Sequence, residues 1–345
     1  MVKSAEGVAM TSTTAGAVDH LVDTTVERGT GVVRLLGPQR LAPTVAAELR
    51  ELAPDGPVAA VTAGWGDRER DDAELDAMLD GRTINLELHH RQLDVAERDP
   101  ELAVARRVLH GQLTEMGELY LVRLGHAISS VAHLQRLGGR GSDVADELED
   151  AIEVIRRLDD RHLDRVMEAR SRFEDRWATA ERPDVARHRA EVAELLTSSA
   201  AVVIAGGRVD VLLDGLRRFD VAASLDDRPV VAWSAGAMAL ADRVVLFHDH
   251  APQGDSATEV HDHGLGLYHG IVAFPHARTR LRLDDRDRMI RLARRFAPAR
   301  CVLLDPGTRV ADARRSDAPL TEVAWLDQDG ATVRHPGSLP GTSDQ

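Results

Sequence analysis

The chain has 345 residues, of which 43% are apolar, and its 43 lysines and arginines against 57 aspartates and glutamates give a formal net charge of −14. This length predicts about two domains with a sizeable core, and the acidic balance argues against binding to nucleic-acid phosphates, which needs a basic surface. Aromatic residues make up only 3% of the chain, which also argues against platforms that stack on bases.

Two scarce residue types exclude further classes of chemistry. Lys3 is the only lysine, and it lies in the small, polar N-terminal segment. The chain therefore lacks a lysine that could bind phosphates in a P-loop or form the Schiff base of a pyridoxal enzyme. Cys301 is the only cysteine, which excludes an intrachain disulfide and a thiolate zinc site. The N-terminus, residues 1–20, has no apolar core of a signal peptide, and no apolar run anywhere reaches the length of a membrane span. We therefore expect a cytoplasmic protein without a cofactor that binds neither nucleic acid nor membranes.

The first part of the chain predicts alternating strands and helices. Residues 1–28 are small and polar without a clear period, so we expect them to be disordered. Apolar runs predict strands at 32–36, 57–62 and 83–88, and helical spacing predicts helices between them at 42–52 and 71–79. This order is typical of a three-layer, doubly wound α/β fold with a mainly parallel sheet.

The central part of the chain has no strand pattern. Asp99-Pro100 is typical of a helix start, and apolar residues then recur three or four positions apart as far as Leu134. A glycine-rich break at 138–141 precedes a second amphipathic helix that extends to Phe173. We predict an inserted α-helical hairpin. Its pattern leaves open whether it packs on the sheet, closes over a site as a lid or joins copies of the chain in a homo-oligomer.

The alternation resumes at Ala200 and continues almost to the end. We predict strands at 201–205, 229–233, 244–247, 267–274 and 301–304, helices at 209–216 and 285–296, and a β-hairpin whose turn is Asp329-Gly330. The predicted divisions are a disordered N-terminus (1–28), the first part of an α/β domain (29–92), the helical hairpin (93–180), the second part of the α/β domain (181–335) and a loose tail (336–345).

One stretch in the second part predicts chemistry. Residues 230–238 read VVAWSAGAM, a strand followed by Ser234 and then by small residues that open a helix. A nucleophile elbow has this pattern, because its serine occupies a sharp, strained turn that tolerates only small neighbours. The first N–H groups of the following helix face a developing oxyanion. Ser234 is therefore a candidate nucleophile, and the alternative is that it only caps the helix.

Further residues complete a candidate catalytic site. Gly206 and Gly207 end the preceding strand, so the N–H of Gly207 can join that of Ala235 in an oxyanion hole. Asp249 and then His276 follow the serine, and serine, acid, histidine is a known chain order for triads on α/β sheets.

Three segments resemble the dipeptidase E and cyanophycinase family of serine peptidases. They are AGGRVDVLL at 205–213, VVAWSAGAMA at 230–239 and GLGLYHGIVAFPH at 264–276. The resemblance is good over 192–333, weak over 31–88 and absent from the helical hairpin. It implies a class I glutamine amidotransferase-like (flavodoxin-like) sheet and a small peptide or amide substrate, since family substrates carry aspartyl groups.

The resemblance also implies roles for single residues. The family nucleophile falls on Ser234 and the family histidine on His276. In dipeptidase E the acid lies fifteen residues after the serine, which is Asp249 here. The cyanophycinase branch uses a later acid, and Asp305 resembles it, although Pro306 replaces that branch's glutamate. Asp249 is therefore the first choice for the acid and Asp305 the second.

At two positions the residue differs from the one that related enzymes use. Arg208 stands where the family usually has a polar amide, and an arginine there can bind a substrate carboxylate bidentately, beside Gly206. A glutamine amidotransferase needs cysteine at the elbow. Cys301 instead lies in a predicted apolar strand, where we expect a buried, unreactive thiol, so glutaminase activity is not predicted.

Histidines alternate with aspartate at 248–250 and 261–263, with His269 nearby. Alternate residues of a strand share a face, but the spacing of known zinc motifs is missing, so we predict no metal site. The resulting hypothesis is a serine hydrolase of amide or peptide bonds. The alternative is a non-catalytic binding or scaffold protein of the same fold that uses the helical hairpin as its partner surface.

Overall fold

The computed structural model describes residues 31–53, 55–137, 142–250, 257–310 and 323–334. Its strands are β1 (Val33–Leu36), β2 (Val58–Val61), β3 (Thr83–Asn85), β4 (Ala201–Ile204), β5 (Val230–Trp233), β6 (Arg243–Leu246), β7 (Glu259–His263), β8 (Ile271–Pro275), β9 (Arg300–Leu304), β10 (Arg309–Val310), β11 (Ala324–Leu326) and β12 (Thr332–Arg334). Its α-helices are α1 (Val45–Leu52), α2 (Ala73–Met78), α3 (Leu88–Arg98), α4 (Pro100–Leu137), α5 (Ser142–Trp177), α6 (Pro183–Thr197), α7 (Val209–Arg218), α8 (Ala235–Leu240), α9 (Ala277–Arg280) and α10 (Arg286–Phe296). The predicted disordered N-terminus, the glycine-rich break at 138–141 and the predicted loose tail lie outside the described residues.

The larger sheet consists of short buried strands in the order β10-β1-β5-β4-β2-β3. Neighbouring strands are parallel, apart from β10, which is antiparallel to β1. Every residue of β1, β2, β4 and β5 is buried, as expected of parallel strands that are covered on both faces. The prediction of an α/β protein with a mostly parallel central sheet is confirmed.

Alternate residues of the central strand β5 enter two separate cores. Val231 and Trp233 pack with α1 and α2 on one face of the sheet. Val230 and Ala232 pack on the other face with α3, α6, α7 and α8. Helices therefore cover both faces, and the carboxyl end of β5 lies near the middle of the sheet.

The strands in the second half of the chain do not all join the larger sheet, although the sequence predicts one mainly parallel sheet. The strands β12-β11-β9-β8 form a sheet of their own, and β6 pairs with β7 in a third. The strand predicted at 267–274 begins only at Ile271, because the N–H groups of Leu267 and Tyr268 donate to the carbonyl of Leu240 at the end of α8. The chain returns to the larger sheet at β10, directly after β9.

The two long helices α4 and α5 pack against each other. The first half of α4 buries Leu102, Leu109 and Met116 in the core of the larger sheet. Its second half packs, together with α5, against β6–β9 and α10. In the described part of the chain, no helix combines the length and apolar character needed to cross a bilayer.

A buried polar network attaches this helix pair to the rest of the protein. The guanidinium of Arg295 in α10 donates to the carboxylate of Asp159 in α5 at 2.7 Å and to the hydroxyl of Tyr120 in α4 at 2.9 Å. Tyr120 donates to Asp159 at 2.7 Å and accepts the N–H of Val260 in β7 at 3.2 Å. Because Arg295 and Asp159 are almost wholly buried, each charge depends on the other for compensation.

Replacing Asp159 with asparagine tests this network. Asp159→Asn leaves the Arg295 charge buried without its counter-charge, so we expect a loss of about 3–5 kcal/mol in the free energy of unfolding, measured by urea denaturation. The control is Glu168→Gln, which removes the partner of Arg172 in an exposed ion pair and should change stability by less than about 1 kcal/mol. Equal effects of the two substitutions would contradict this account.

Candidate active site

Ser234 occupies a strained turn between β5 and α8. Its φ of 52° and ψ of −119° lie in a region that residues with a side chain rarely adopt. The residue is 9% exposed. Its side chain makes no capping hydrogen bond to α8, so the alternative that it only caps the helix lacks the contact that defines a cap.

Glycines allow the backbone to come close to this turn. A Cβ atom at Gly236 would lie 2.3 Å from the carbonyl oxygen of Ile204 in β4, so α8 can pack on β4 only with glycine there. A Cβ atom at Gly206 would lie 2.8 Å from the Cβ of Ser234. These distances are shorter than a carbon atom permits, which explains the small residues around the serine.

The loop after β4 is held against the loop after β2. Gly207 has a φ of 120°, and a Cβ atom on it would lie 2.3 Å from the carbonyl oxygen of Gly64. The same oxygen accepts the N–H of Arg208 at 2.7 Å, so this N–H is occupied within the protein. On the other side of the serine, Ala235 is the first residue of α8, where an N–H has no carbonyl partner in its own helix.

His276 follows β8, and its backbone is fixed by β9. Its N–H donates to the carbonyl of Leu304 at 3.0 Å. Partial burial and the positive charge of Arg280 lower the pKa of His276 below its ordinary value of 6.5, while the negative charge of Asp305 acts in the opposite direction. A lowered pKa keeps the imidazole neutral near pH 7, the form that can accept a proton.

Asp305 leaves β9 beside the histidine. β8 and β9 are parallel with Pro275 opposite Leu304, so His276 and Asp305 emerge from neighbouring strands at the same end. The carboxylate of Asp305 is nearly buried and accepts the N–H of Arg278 in α9 at 3.0 Å. Its charge therefore lies close to the helix turn that carries the histidine.

Asp249, the first-choice acid from the sequence, is engaged elsewhere. Its carboxylate accepts the N–H of Arg282 at 3.0 Å and the Nε–H of Arg288 at 2.8 Å, and its own N–H donates to the carbonyl of Arg280 at 2.7 Å. The residue is 1% exposed and joins the segment after α9 to α10. The carboxylate of Asp249 is therefore engaged by Arg282 and Arg288.

A cavity of about 1610 Å³ opens at the carboxyl ends of β1, β4 and β5, the usual place for ligands on open parallel sheets. The predicted residues Ser234, Ala235, His276, Gly206, Gly207 and Arg208 all line it. The two long helices form another wall, through Leu109, Leu113 and Glu118 of α4 and Val166 of α5. The helical insertion, which the sequence left without an assigned role, therefore encloses the space in front of the serine.

Several arginines line this cavity, and two of them lie on the loops beside the serine and the histidine. The exposed guanidinium of Arg208 donates to the carboxylate of Asp210 at 2.6 Å, so it is already paired within its own loop. Arg280 is exposed, lines the cavity and acts on the charge state of His276. Arg280 was not predicted as a site residue, although its position four residues after His276 places both on one face of a helical turn.

The second His-Asp-His run belongs to β7. Its central residue, Asp262, is buried between Arg170 at 2.7 Å and Arg217 at 2.8 Å, and both His261 and Asp262 line the cavity. Within the residues that the structure describes, no three histidine, cysteine, aspartate or glutamate side chains come together as metal ligands. The thiol of Cys301 is buried in β9, and burial raises its pKa.

Known proteins resemble this chain only distantly. No protein-family model and no curated protein matches the chain. Among solved structures, the chain is similar to a peptidase from an acI-B1 Actinobacterium, with 14% sequence identity and a TM-score of 0.37, over 89% of this chain and 98% of that chain. A similarity at this level assigns neither a family nor an activity.

The backbone strain at Ser234 can be measured through two substitutions. Ser234→Gly and Ser234→Ala both remove the hydroxyl, but only glycine adopts this φ and ψ without cost. We expect the glycine variant to be more stable than the alanine variant by about 1–3 kcal/mol, measured by thermal or urea unfolding. The same pair at Ser198, whose φ of −81° is ordinary, should show the opposite order, and a shared order at both sites would contradict the strain.

Proposed function

We propose that the protein is a serine hydrolase of amide bonds that acts on peptides or related small amides. The observation that carries this proposal is the strained position of Ser234 at the end of β5, in the same cavity as a partly buried His276. Strain at a polar residue in a cavity is typical of a functional site, and a serine hydroxyl needs an adjacent base to act as a nucleophile.

The chemistry would follow the order of other serine hydrolases. The neutral imidazole of His276 takes the hydroxyl proton while the Oγ of Ser234 bonds to the carbonyl carbon of the amide. The imidazolium then gives that proton to the departing amine nitrogen, which leaves an acyl ester on Ser234. A water molecule, deprotonated by the same imidazole, hydrolyses the ester and restores the hydroxyl.

Backbone N–H groups would stabilise the tetrahedral intermediate. The candidates are Ala235, at the start of α8, and Gly207, in the loop held against Gly64. Two observations support them: the first N–H groups of a helix lack partners in that helix, and the Gly207 loop lies against the serine through Gly206. In other enzymes one such donor contributes roughly 2.7–4 kcal/mol to lowering the barrier.

Asp305 is the acid that we propose for the triad, in place of Asp249. Its charge favours the protonated form of His276, which is the action required of a triad acid when the imidazolium forms. Asp249 has a structural role instead, because its carboxylate accepts hydrogen bonds from Arg282 and Arg288.

The substrate class follows from the resemblance together with the cavity. Members of the dipeptidase E and cyanophycinase family act on substrates with aspartyl groups, and this chain resembles that family around its serine and histidine. Arg280, which lines the cavity beside His276, is suited to bind a carboxylate of such a substrate. The Nε–H and one Nη2–H of Arg208 are already engaged by Asp210, which leaves fewer donors for a substrate.

Covalent labelling tests the nucleophile. We expect a fluorophosphonate probe to label the folded wild-type chain, and we expect Ser234→Ala to abolish both labelling and the hydrolysis of a small aspartyl-peptide library. The matched control is Ser198→Ala, which removes a hydroxyl that bonds the carbonyl of Leu195 and should leave labelling unchanged. A folded wild-type protein that is neither labelled nor active would favour the non-catalytic binding protein instead.

The pH dependence of kcat/KM distinguishes the two acids. Hydrolysis needs neutral His276, so activity falls on the acidic side through the pKa of this group. Asp305→Asn removes a charge that raises this pKa, and the acidic limb should move to lower pH. Arg280→Gln removes a charge that lowers it, and the limb should move to higher pH. Asp249→Asn should leave the limb in place, so a shift with Asp249→Asn and none with Asp305→Asn would reverse the assignment.

A further inference from the structure

Beside the cavity, two aspartates are each shared by two arginines, and Asp214 of α7 is the first of them. Its carboxylate accepts hydrogen bonds from Arg218 of the same helix at 2.8 Å and from Arg106 of α4. The side-chain amide of Gln92 in α3 donates to the same carboxylate at 2.9 Å. All four residues line the cavity. One carboxylate therefore serves two guanidinium groups that come from different helices.

Asp262 of β7 is the second shared carboxylate. It accepts hydrogen bonds from Arg170 of α5 at 2.7 Å and from Arg217 of α7 at 2.8 Å. The two groups act on each other: burial raises the pKa of Asp214, but nearby guanidinium groups, that of Arg170 among them, bring it below its ordinary value. We refer to the six residues as the arginine cluster: Arg106, Arg170, Arg217, Arg218, Asp214 and Asp262.

The arginine cluster holds more positive than negative charge. Its four guanidinium groups share two carboxylates, in a chain whose formal net charge is −14. The carboxylate of Glu174 also acts on Arg218, but Glu174 is exposed and does not line the cavity. The cavity wall therefore carries a local excess of positive charge on an acidic protein.

Two further observations indicate that this charge lacks compensation. The side chain of Arg218 is 7% exposed. Burial lowers its pKa to about 10, although Asp214 raises it, and the charge of Arg106 adds to the lowering. The Nε–H groups of Arg170 and Arg218 are buried without a hydrogen-bond acceptor among the described residues. Because a buried donor without an acceptor is costly, an anion would supply what the cluster lacks, namely acceptor oxygens together with negative charge.

We propose that the arginine cluster is an anion-binding subsite of the cavity and that it takes a carboxylate of the substrate. Arg106, Arg170 and Arg218 line the same cavity as Ser234. Guanidinium groups bind carboxylates through paired N–H donors. Two of these three arginines belong to the long helices α4 and α5, so the helical insertion contributes binding groups as well as a wall.

Helix α7 sets the distance between the cluster and the serine. The helix follows the loop of Gly207, and Asp214 lies seven residues after that glycine. At a rise of 1.5 Å per residue, this corresponds to about 10 Å along the cavity wall. An extended peptide covers about 3.3 Å per residue, so the bound carboxylate lies about three residues from the amide that is cleaved. This spacing rests on the proposed hydrolase function, whereas the anion site itself does not.

Two parts of a peptide can supply this carboxylate. One is the C-terminus, and the other is an acidic side chain at the same distance from the cleaved amide. Both present two oxygens of the same kind to the guanidinium groups, so the probes in the experiment must separate them.

Titration calorimetry with the full-length Ser234→Ala chain measures binding without hydrolysis. The probes are the tetrapeptide Asp-Ala-Ala-Ala, the same peptide with an amidated C-terminus, and amidated Asp-Ala-Ala-Asp. We expect the free acid to bind roughly tenfold more tightly than its amide, which is the effect of one hydrogen bond to a charged group. Tight binding of amidated Asp-Ala-Ala-Asp would show that a side-chain carboxylate also serves, and weak binding would restrict the subsite to the C-terminus.

Substitutions in the same Ser234→Ala chain locate the subsite. Arg170→Gln should abolish the preference, so that the free acid binds as weakly as its amide. The matched control is Arg172→Gln on the same helix, because Arg172 is exposed, pairs with Glu168 and lies outside the cavity. This control should keep the preference. Circular dichroism checks that each variant folds, and Arg106→Gln repeats the test from α4.

The outcomes separate the subsite from the hydrolase function. The subsite is overturned when none of the three peptides binds, when the free acid and its amide bind equally, or when the preference survives both Arg170→Gln and Arg106→Gln. A wild-type chain that is labelled by the fluorophosphonate while its Ser234→Ala form shows no preference is a hydrolase without this subsite. A chain that shows the preference and is not labelled has the subsite without the hydrolase function.

Discussion

The candidate site depends on the close approach of main-chain segments at the ends of three parallel strands. Gly64 after β2, Gly206 and Gly207 after β4, and Gly236 in α8 contact one another or their neighbours at distances that leave no room for a Cβ atom. These contacts hold Ser234 in a backbone conformation that it would not adopt in a free chain. The position of the Ser234 hydroxyl in the cavity is a consequence of this packing.

Two aspartates, Asp305 and Asp249, have different surroundings in this structure because their neighbours differ. Asp305 is placed by the parallel pairing of β8 with β9 and acts on the pKa of His276. Asp249 is turned toward Arg288 of α10 and holds the segment that follows the histidine. The long helices are fixed in a similar way, since the buried contacts of Arg295 determine how α4 and α5 lie over the cavity.

Much of the secondary structure could be predicted from local patterns in the sequence. The buried strands β1, β2, β4 and β5 appear as short apolar runs, and α4 and α5 appear as helical spacing over many turns. The elbow was also visible, because a sharp turn after a strand restricts the chain to small residues around Ser234. At Asp329-Gly330 the pattern predicted a two-residue turn, whereas Asp327 pairs with Ala331 across three residues, with Gly330 at a φ of 73°.

The sequence by itself determined the strand and helix alternation and the position of the candidate nucleophile, because both depend on neighbours within a few residues. Only the tertiary structure showed that Asp249 binds Arg282 and Arg288, that Arg280 belongs to the cavity, and that the helical insertion forms one of its walls. Each of these depends on segments far apart in the chain, such as the segment after β6 with α10 or α4 with the end of β5. No spacing along the sequence records such contacts, because they are created by packing.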